Sequence, residues 1–250
     1  MSIDLLDLPL TAPVNLRDLG GIPVADGVVR AGFAIRADDL STADAASAGD
    51  LVDRGLTSVI DVRSHAEAAY TGRGPIGAMP VTYHHVPFLS SLADAGDDAY
   101  EQASFESMYI RMYEGAAPRI VQALAVMATS TGATAFHCAA GQDRTGVLAA
   151  SLLLALGASH DVIVADYART GENSPAIMDR LAPVMGPIMA EHGVKIDEAA
   201  RAARRATFSP APMEGLLTHL EREYGDPLRP LRDAGLTDGL VAALRSRAVA

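Results

Sequence analysis

Cys138 and Arg144 stand with five residues between them in the stretch His137-Cys138-Ala139-Ala140-Gly141-Gln142-Asp143-Arg144-Thr145-Gly146. A loop of that length ahead of a helix can turn its backbone N–H groups inward as an anion nest, and the helix dipole adds to the attraction. A phosphate dianion would fill the nest made by Ala139, Ala140, Gly141 and Gln142. Arg144 would grip two of its oxygens with a planar fork that lysine cannot copy. Cys138 would sit beneath the phosphorus, where the same groups favour the charged thiolate, the nucleophilic form. Attack would give a phosphocysteine, which water then hydrolyses. His137 is placed to fix the loop through nearby backbone. The Thr145 hydroxyl is placed to donate to the sulfur and ease its departure in the second step.

Elements of two kinds must hold this loop. Ala135 and Phe136 close a short buried strand, and Thr145 to Leu156 is mostly Ala, Leu and Val, a good helix composition. Gly141 and Gly146 permit tight backbone between them.

These residues carry a resemblance. His137-Cys138-x-x-Gly141-x-x-Arg144-Thr145-Gly146 resembles the signature of the cysteine-based protein tyrosine phosphatase superfamily. Ala140-Gly141-x-Asp143-Arg144-Thr145-Gly146 is similar to its bacterial tyrosine and dual-specificity group, which also hydrolyses phosphoinositides. Asn15-Leu16-Arg17-Asp18-Leu19-Gly20-Gly21, Arg36-Ala37-Asp38-Asp39-Leu40-Ser41, and Ile60-Asp61-Val62-Arg63-Ser64 followed by Glu67 resemble flanking motifs of that group.

The resemblance implies an α/β fold with a central, mostly parallel sheet flanked by helices. It implies a cysteine-dependent phosphomonoesterase acting on phosphotyrosine, with phosphoserine, phosphothreonine and phosphoinositides as further substrates and no cofactor. It also supports Asp143 as general acid. A neighbouring arginine favours the ionised carboxylate, while a bound phosphate dianion pushes the other way. Asp61 is the second choice; Asp94, Asp97 and Asp98, in a polar loop over residues 90–100, are further rivals. Gln142 departs from the basic residue often found there, so it offers a second phosphate hydrogen bonds but no charge. A sulfurtransferase and an inactive phosphate-binding module are the competing classes, and the intact Cys138 and Arg144 count against the second.

Composition bounds the rest. The chain has 250 residues, one cysteine and a formal net charge of −11. The single cysteine allows no internal disulfide and suits a reducing compartment. The charge argues against general nucleic-acid binding and gives no help at an anionic membrane. Seven scattered His, with no Cys/His cluster, suggest no metal site. No apolar run is long enough to span a bilayer and the N-terminus lacks a secretory pattern, so the expectation is a cytoplasmic protein or one exported without a cleaved signal.

In chain order, residues 1–14 read as an extended lead-in. Val28 to Ala37 reads as a strand, and Ser41 to Asp44 as a helix start running to Arg54. Thr57 to Val62 reads as a strand ending at Asp61 and Arg63, which are either site residues at the carboxyl end of a parallel strand or a structural salt bridge. A helix from Ser64 to Tyr70 and a strand from Val81 to Phe88 follow. Adjacent His84 and His85 would point to opposite faces of that strand and are read as structural. Phe105 to Thr129 reads as two helices broken near Gly115 and Pro118. Ser159 to Thr170 reads as one helix. Ile177, Leu181, Val184, Met185, Ile188 and Met189 form an apolar stripe at helical spacing. Arg201, Arg204 and Arg205 form a basic cluster, and Met213 to Tyr224 and Asp238 to Arg247 end the chain as helices. The whole reads as one domain over 1–250, with 171–250 a helical extension packed on it.

Overall fold

The computed structural model describes residues 8–88, 102–191 and 208–250. Residues 90–100 with Asp94, Asp97 and Asp98, and the cluster of Arg201, Arg204 and Arg205, lie outside the described residues, as does the first half of the lead-in.

Ala133–His137 and Leu56–Asp61 are short runs buried almost throughout, as the inner strands of a parallel sheet must be. In chain order the strands are β1 (Arg17–Asp18), β2 (Pro23–Val24), β3 (Gly27–Val28), β4 (Ala34–Ala37), β5 (Leu56–Asp61), β6 (Thr82–His85) and β7 (Ala133–His137). The main sheet runs β1-β4-β7-β5-β6. β4, β7, β5 and β6 are parallel, and β1 is an antiparallel edge. The expected mostly parallel α/β architecture is what the chain forms.

The helices are α1 (Ala45–Asp53), α2 (His65–Thr71), α3 (Gln102–Gly115), α4 (Ala117–Thr129), α5 (Asp143–Leu156), α6 (His160–Ala168), α7 (Thr170–Glu191), α8 (Ala211–Tyr224), α9 (Arg229–Asp233) and α10 (Asp238–Ala248). Three of them show a local reason for where they start or stop. Asp44 caps α1 by accepting from Ser47 N–H. Ser64 and Glu67 form a reciprocal capping box on α2. α5 is buried at every position from Thr145 to Leu156, so it forms the centre of the helical layer rather than a surface. It ends at Gly157, whose φ of +82° is left-handed. Truncating a fully buried leucine here, such as Leu152→Ala, costs about 2–5 kcal/mol by the usual cavity argument.

Two cores cover the two faces of the sheet. Ile35, Ala37, Val59, Ala133 and Ala135 share one with Leu51 of α1. Phe136 and Cys138 share the larger one with α3, α4, α5 and the C-terminal helices. Met213, Leu216, Leu217 and Leu220 of α8 and Leu244 of α10 belong to the same cluster as Leu148 and Leu152 of α5. The C-terminal segment therefore completes the central core.

Some elements are shorter than the sequence suggests. Only Ala34–Ala37 of the Val28 to Ala37 run is a sheet strand. Gly27–Val28 pairs with Pro23–Val24 in a separate hairpin, and a turn at Gly32, with φ of +73°, divides the two. β6 stops at His85, two residues before Pro87, which has no N–H for a ladder. The short α9 had no clear sequence signal. In the apolar stripe of α7, Ile177 and Val184 are buried and Leu181 is half-buried; the side chains of Met185, Ile188 and Met189 lie outside the described residues. Among the described residues no helix is long and apolar enough to cross a membrane.

Candidate active site

Register gathers the site. Ala37, His137 and Asp61 are paired across β4, β7 and β5, so the segments that follow each of them emerge side by side at the carboxyl end of the sheet. Strand alternation then sorts the side chains. Phe136 and Cys138 face the α5 core, while His137 faces the other side, near Asp39 and Asp61. Its Nδ1 lies 3.1 Å from the Cys138 carbonyl and 3.4 Å from Leu40 N–H, so the ring joins the loop to the segment after β4.

Cys138 is only 1% exposed, and its Sγ accepts a hydrogen bond from Gly141 N–H at 3.3 Å. Gly141 has a φ of +69°, and a Cβ on it would stand 2.6 Å from the Ala37 carbonyl oxygen. Only glycine fits there. Gln142 at the N-cap of α5 makes no side-chain capping bond, which leaves first-turn N–H groups of that helix for another acceptor.

The loop carbonyls are held from behind. Asn15 Nδ2 donates to Ala140 O at 3.2 Å and Gly141 O at 3.1 Å, and Arg36 Nη2 donates to Gly141 O at 2.9 Å. Turning carbonyls outward in this way turns the N–H groups inward. Behind them Arg17 and Arg36 share the Asp166 carboxylate at 2.9 and 2.5 Å, all three buried. Arg17 stays cationic at neutral pH, although burial and neighbouring Arg36 bring it down to about 10.

Arg144 meets Glu67 in a two-point pair, Nη1 to Oε2 at 2.5 Å and Nη2 to Oε1 at 2.8 Å. Burial alone would raise the Glu67 carboxyl. The Arg144 hydrogen bonds and charge, with Ser64 N–H, outweigh it and hold the value at about 2.

Asp143 is the converse. Burial pushes its carboxyl above the ordinary value, against a hydrogen bond from Tyr109 and the charge of Arg144. The Tyr109 hydroxyl donates to Asp143 Oδ1 at 2.6 Å and lies 2.7 Å from the Tyr167 hydroxyl. The Gln142 side chain stands beside that second hydroxyl, and Gln142 is half-buried rather than projecting from the loop.

Asp61 and Arg63 form a buried salt bridge at 2.6 Å. Arg63 also reaches Asp39 at 3.0 Å and the Gly72 carbonyl, and Tyr83 donates to Asp61. Burial would raise the Asp61 carboxyl, but His137 and Arg63 hold it well below the carboxylate range. Asp61 is thereby withdrawn as second choice for the acid: it stays ionised, fully enclosed, with its oxygens engaged. The pair anchors the segments after β4 and β5. His85, whose Nε2 lies 2.9 Å from the Arg63 carbonyl, belongs to the same anchor.

One expectation differs in detail. The Thr145 hydroxyl is buried and hydrogen-bonds to nothing, Cys138 Sγ included. Sequence reasoning also left the roles of Glu67, Asn15, Tyr109, Tyr167 and Asp166 unread. A signal existed for Glu67 in the Ser64-x-x-Glu67 capping pattern. Nothing in local sequence marks Tyr109, Tyr167 or Asp166. Among the described residues, no group of three or more His, Cys, Asp or Glu is arranged to hold a metal.

The sequence model of the tyrosine phosphatase family matches residues 8–250. The triple specificity protein phosphatase PtpB of Mycobacterium tuberculosis is 27% identical over 92% of this chain and 95% of its own. A protein provisionally named a tyrosine-protein phosphatase in Cupriavidus necator is 32% identical over 78% of each chain. A tyrosine-protein phosphatase of Nostoc commune is 27% identical over 96% of this chain and 75% of its own.

Proposed function

The chain belongs to the tyrosine phosphatase family, and from that premise we propose how its residues divide the work of hydrolysing a phosphotyrosine monoester. Cys138, as thiolate, attacks the phosphorus; the P–O bond to the tyrosyl oxygen breaks, and Asp143 gives its proton to that oxygen. The phosphocysteine is then attacked by water, Asp143 takes back a proton, and phosphate and the thiolate are released. The loop N–H groups from Ala139 to Gln142 and the α5 N-terminus stabilise the non-bridging oxygens, and Arg144 brings its cation to them. His137, Asp61 and Arg63 hold the loop and its neighbours in place.

The observation that carries this reading is the sulfur beneath an inward-turned loop, with Gly141 N–H on Cys138 Sγ and the guanidinium of Arg144 pre-set by Glu67. A guanidinium already fixed by a carboxylate loses little entropy when the substrate arrives. Asp143 is supported as the acid because burial favours its protonated form.

Cys138→Ser and Arg144→Ala should each abolish turnover of p-nitrophenyl phosphate, while Cys138→Ser keeps its affinity for a phosphate analogue. Substantial activity in pure Cys138→Ser protein would sink the mechanism. Activity on phosphoserine, phosphothreonine or phosphoinositides is the second reading, favoured by the name of the Mycobacterium tuberculosis relative. Neutral Gln142, turned toward Tyr167, weighs against polyphosphorylated lipids. Turnover of a phosphotyrosine peptide against a phosphoinositide separates the two. A reducing, cytoplasmic setting suits the lone nucleophilic cysteine.

A further inference from the structure

We propose that Tyr109, backed by Tyr167, is the positioning residue that decides which oxygen of Asp143 carries and delivers the proton. This rests on the reading of Asp143 as general acid.

The argument is one of donors and acceptors. A tyrosine hydroxyl has one proton to give. Tyr109 spends it on Asp143 Oδ1, 2.6 Å away. Its contact with Tyr167 at 2.7 Å must then run the other way, Tyr167 donating to the Tyr109 oxygen. The Gln142 side chain, beside the Tyr167 hydroxyl, extends the chain back to the loop. The sequence Tyr167 to Tyr109 to Asp143 thus has a fixed direction. With Oδ1 occupied as an acceptor, the acidic proton of Asp143 is assigned to Oδ2. The carboxyl cannot exchange its two oxygens without breaking the Tyr109 bond.

The two rings are themselves fixed. Tyr109 is fully buried, Tyr167 nearly so, and the rings meet edge-on with centroids 6.0 Å apart. Burial and the nearby Asp143 carboxylate raise both hydroxyls far above neutrality, so both stay protonated donors. The groups acting on Asp143 are Tyr109 from α3, with Tyr167 of α6 behind it, and, on α5 itself, Arg144 and the backbone N–H of Asp143.

The test is the pH profile of kcat on an aryl phosphate with a poor leaving group, measured for wild type, Tyr109→Phe, Tyr167→Phe and Asp143→Asn. The basic limb of kcat reports the acid in the enzyme–substrate complex. Removing the Tyr109 hydroxyl removes a hydrogen bond that favours the ionised carboxylate, so the limb should move up by about one pH unit. Tyr167→Phe should move it the same way by less, and should supply the answer if Tyr109→Phe does not fold. In an Asp143→Asn background, Tyr109→Phe should have no further effect on the profile. An unmoved limb in folded Tyr109→Phe would overturn the positioning role. Should Asp143→Asn slow poor leaving groups selectively all the same, Asp143 remains the acid and only the tyrosine proposal falls. Equal slowing of good and poor leaving groups by Asp143→Asn would remove the acid reading, and this proposal with it.

Discussion

Glu67 holds both terminal nitrogens of Arg144, at 2.5 and 2.8 Å, while Ser64 N–H holds Glu67 in turn. The carboxylate that caps α2 is thus the same one that aims the guanidinium. Glu67→Ala should lower kcat/KM for p-nitrophenyl phosphate roughly 10²-fold through misplacement of Arg144. It should also destabilise the fold by about 3–5 kcal/mol, because a buried charge loses its partner. Glu67→Gln, which keeps one acceptor, should retain more of both. Steady-state kinetics with urea unfolding checks this; wild-type kcat/KM in Glu67→Ala would show that Arg144 needs no support.

The same pair sets an acid limit. The folded value of Glu67, about 2, lies below its ordinary 4.5. Its contribution is complete above pH 4.5 and is lost as pH falls from there toward 2. Unfolding free energy measured across that window should fall more steeply in wild type than in Glu67→Gln. Parallel curves would mean that the pair contributes nothing to acid sensitivity.

Gly141→Ala should disable the loop. The added Cβ would press on the Ala37 carbonyl at 2.6 Å in a backbone of φ +69°. The loop must shift, at a cost of about 1–3 kcal/mol, and the nest opens. Phosphate protection against thermal unfolding should disappear along with turnover. A variant that keeps both would show that Gly141 is there for packing alone.

Thr145→Val separates stability from chemistry. The Thr145 hydroxyl is a buried group with no partner, so an isosteric methyl should leave stability unchanged or raise it by about 1 kcal/mol. If the hydroxyl engages the sulfur only during turnover, the second step should slow. A burst of p-nitrophenol followed by a slower steady rate would then appear in stopped flow. A fall in melting temperature with unaltered kinetics would assign Thr145 a structural role instead.

The catalytic loop was legible because its chemistry is local: Cys138, Gly141, Arg144 and Gly146 lie within nine residues whose types and spacing admit few readings. The order of strands was legible in outline because buried runs and intervening helices imply a parallel sheet. What stayed hidden is what arrives from a distance. Asp166 is 130 residues from Arg36, and Tyr109 is 34 from Asp143. No periodicity distinguishes a tyrosine that fills a core from one that also spends its hydroxyl on a carboxylate. Asp61 was open between two readings for the same reason, since strand-end position is local but its enclosure by Arg63, Tyr83 and His137 is not. Strand ends were overrun where Gly32 and Pro87 interrupt otherwise apolar runs.

Two buried arginines share one aspartate behind the loop, in a chain whose net charge is −11. A phosphopeptide approaching from solvent therefore meets opposite fields in succession. At long range the chain as a whole repels it; in the last few ångströms the inward-turned N–H groups of the loop and the guanidinium of Arg144, aimed by Glu67, take over. Salt reaches only the first of these, because screening acts through solvent over about 10 Å at 0.1 M and hardly touches buried charge. Encounter should thus quicken as ionic strength rises, while the grip of the seated phosphate stays nearly constant, so that an acidic exterior filters approach without weakening capture.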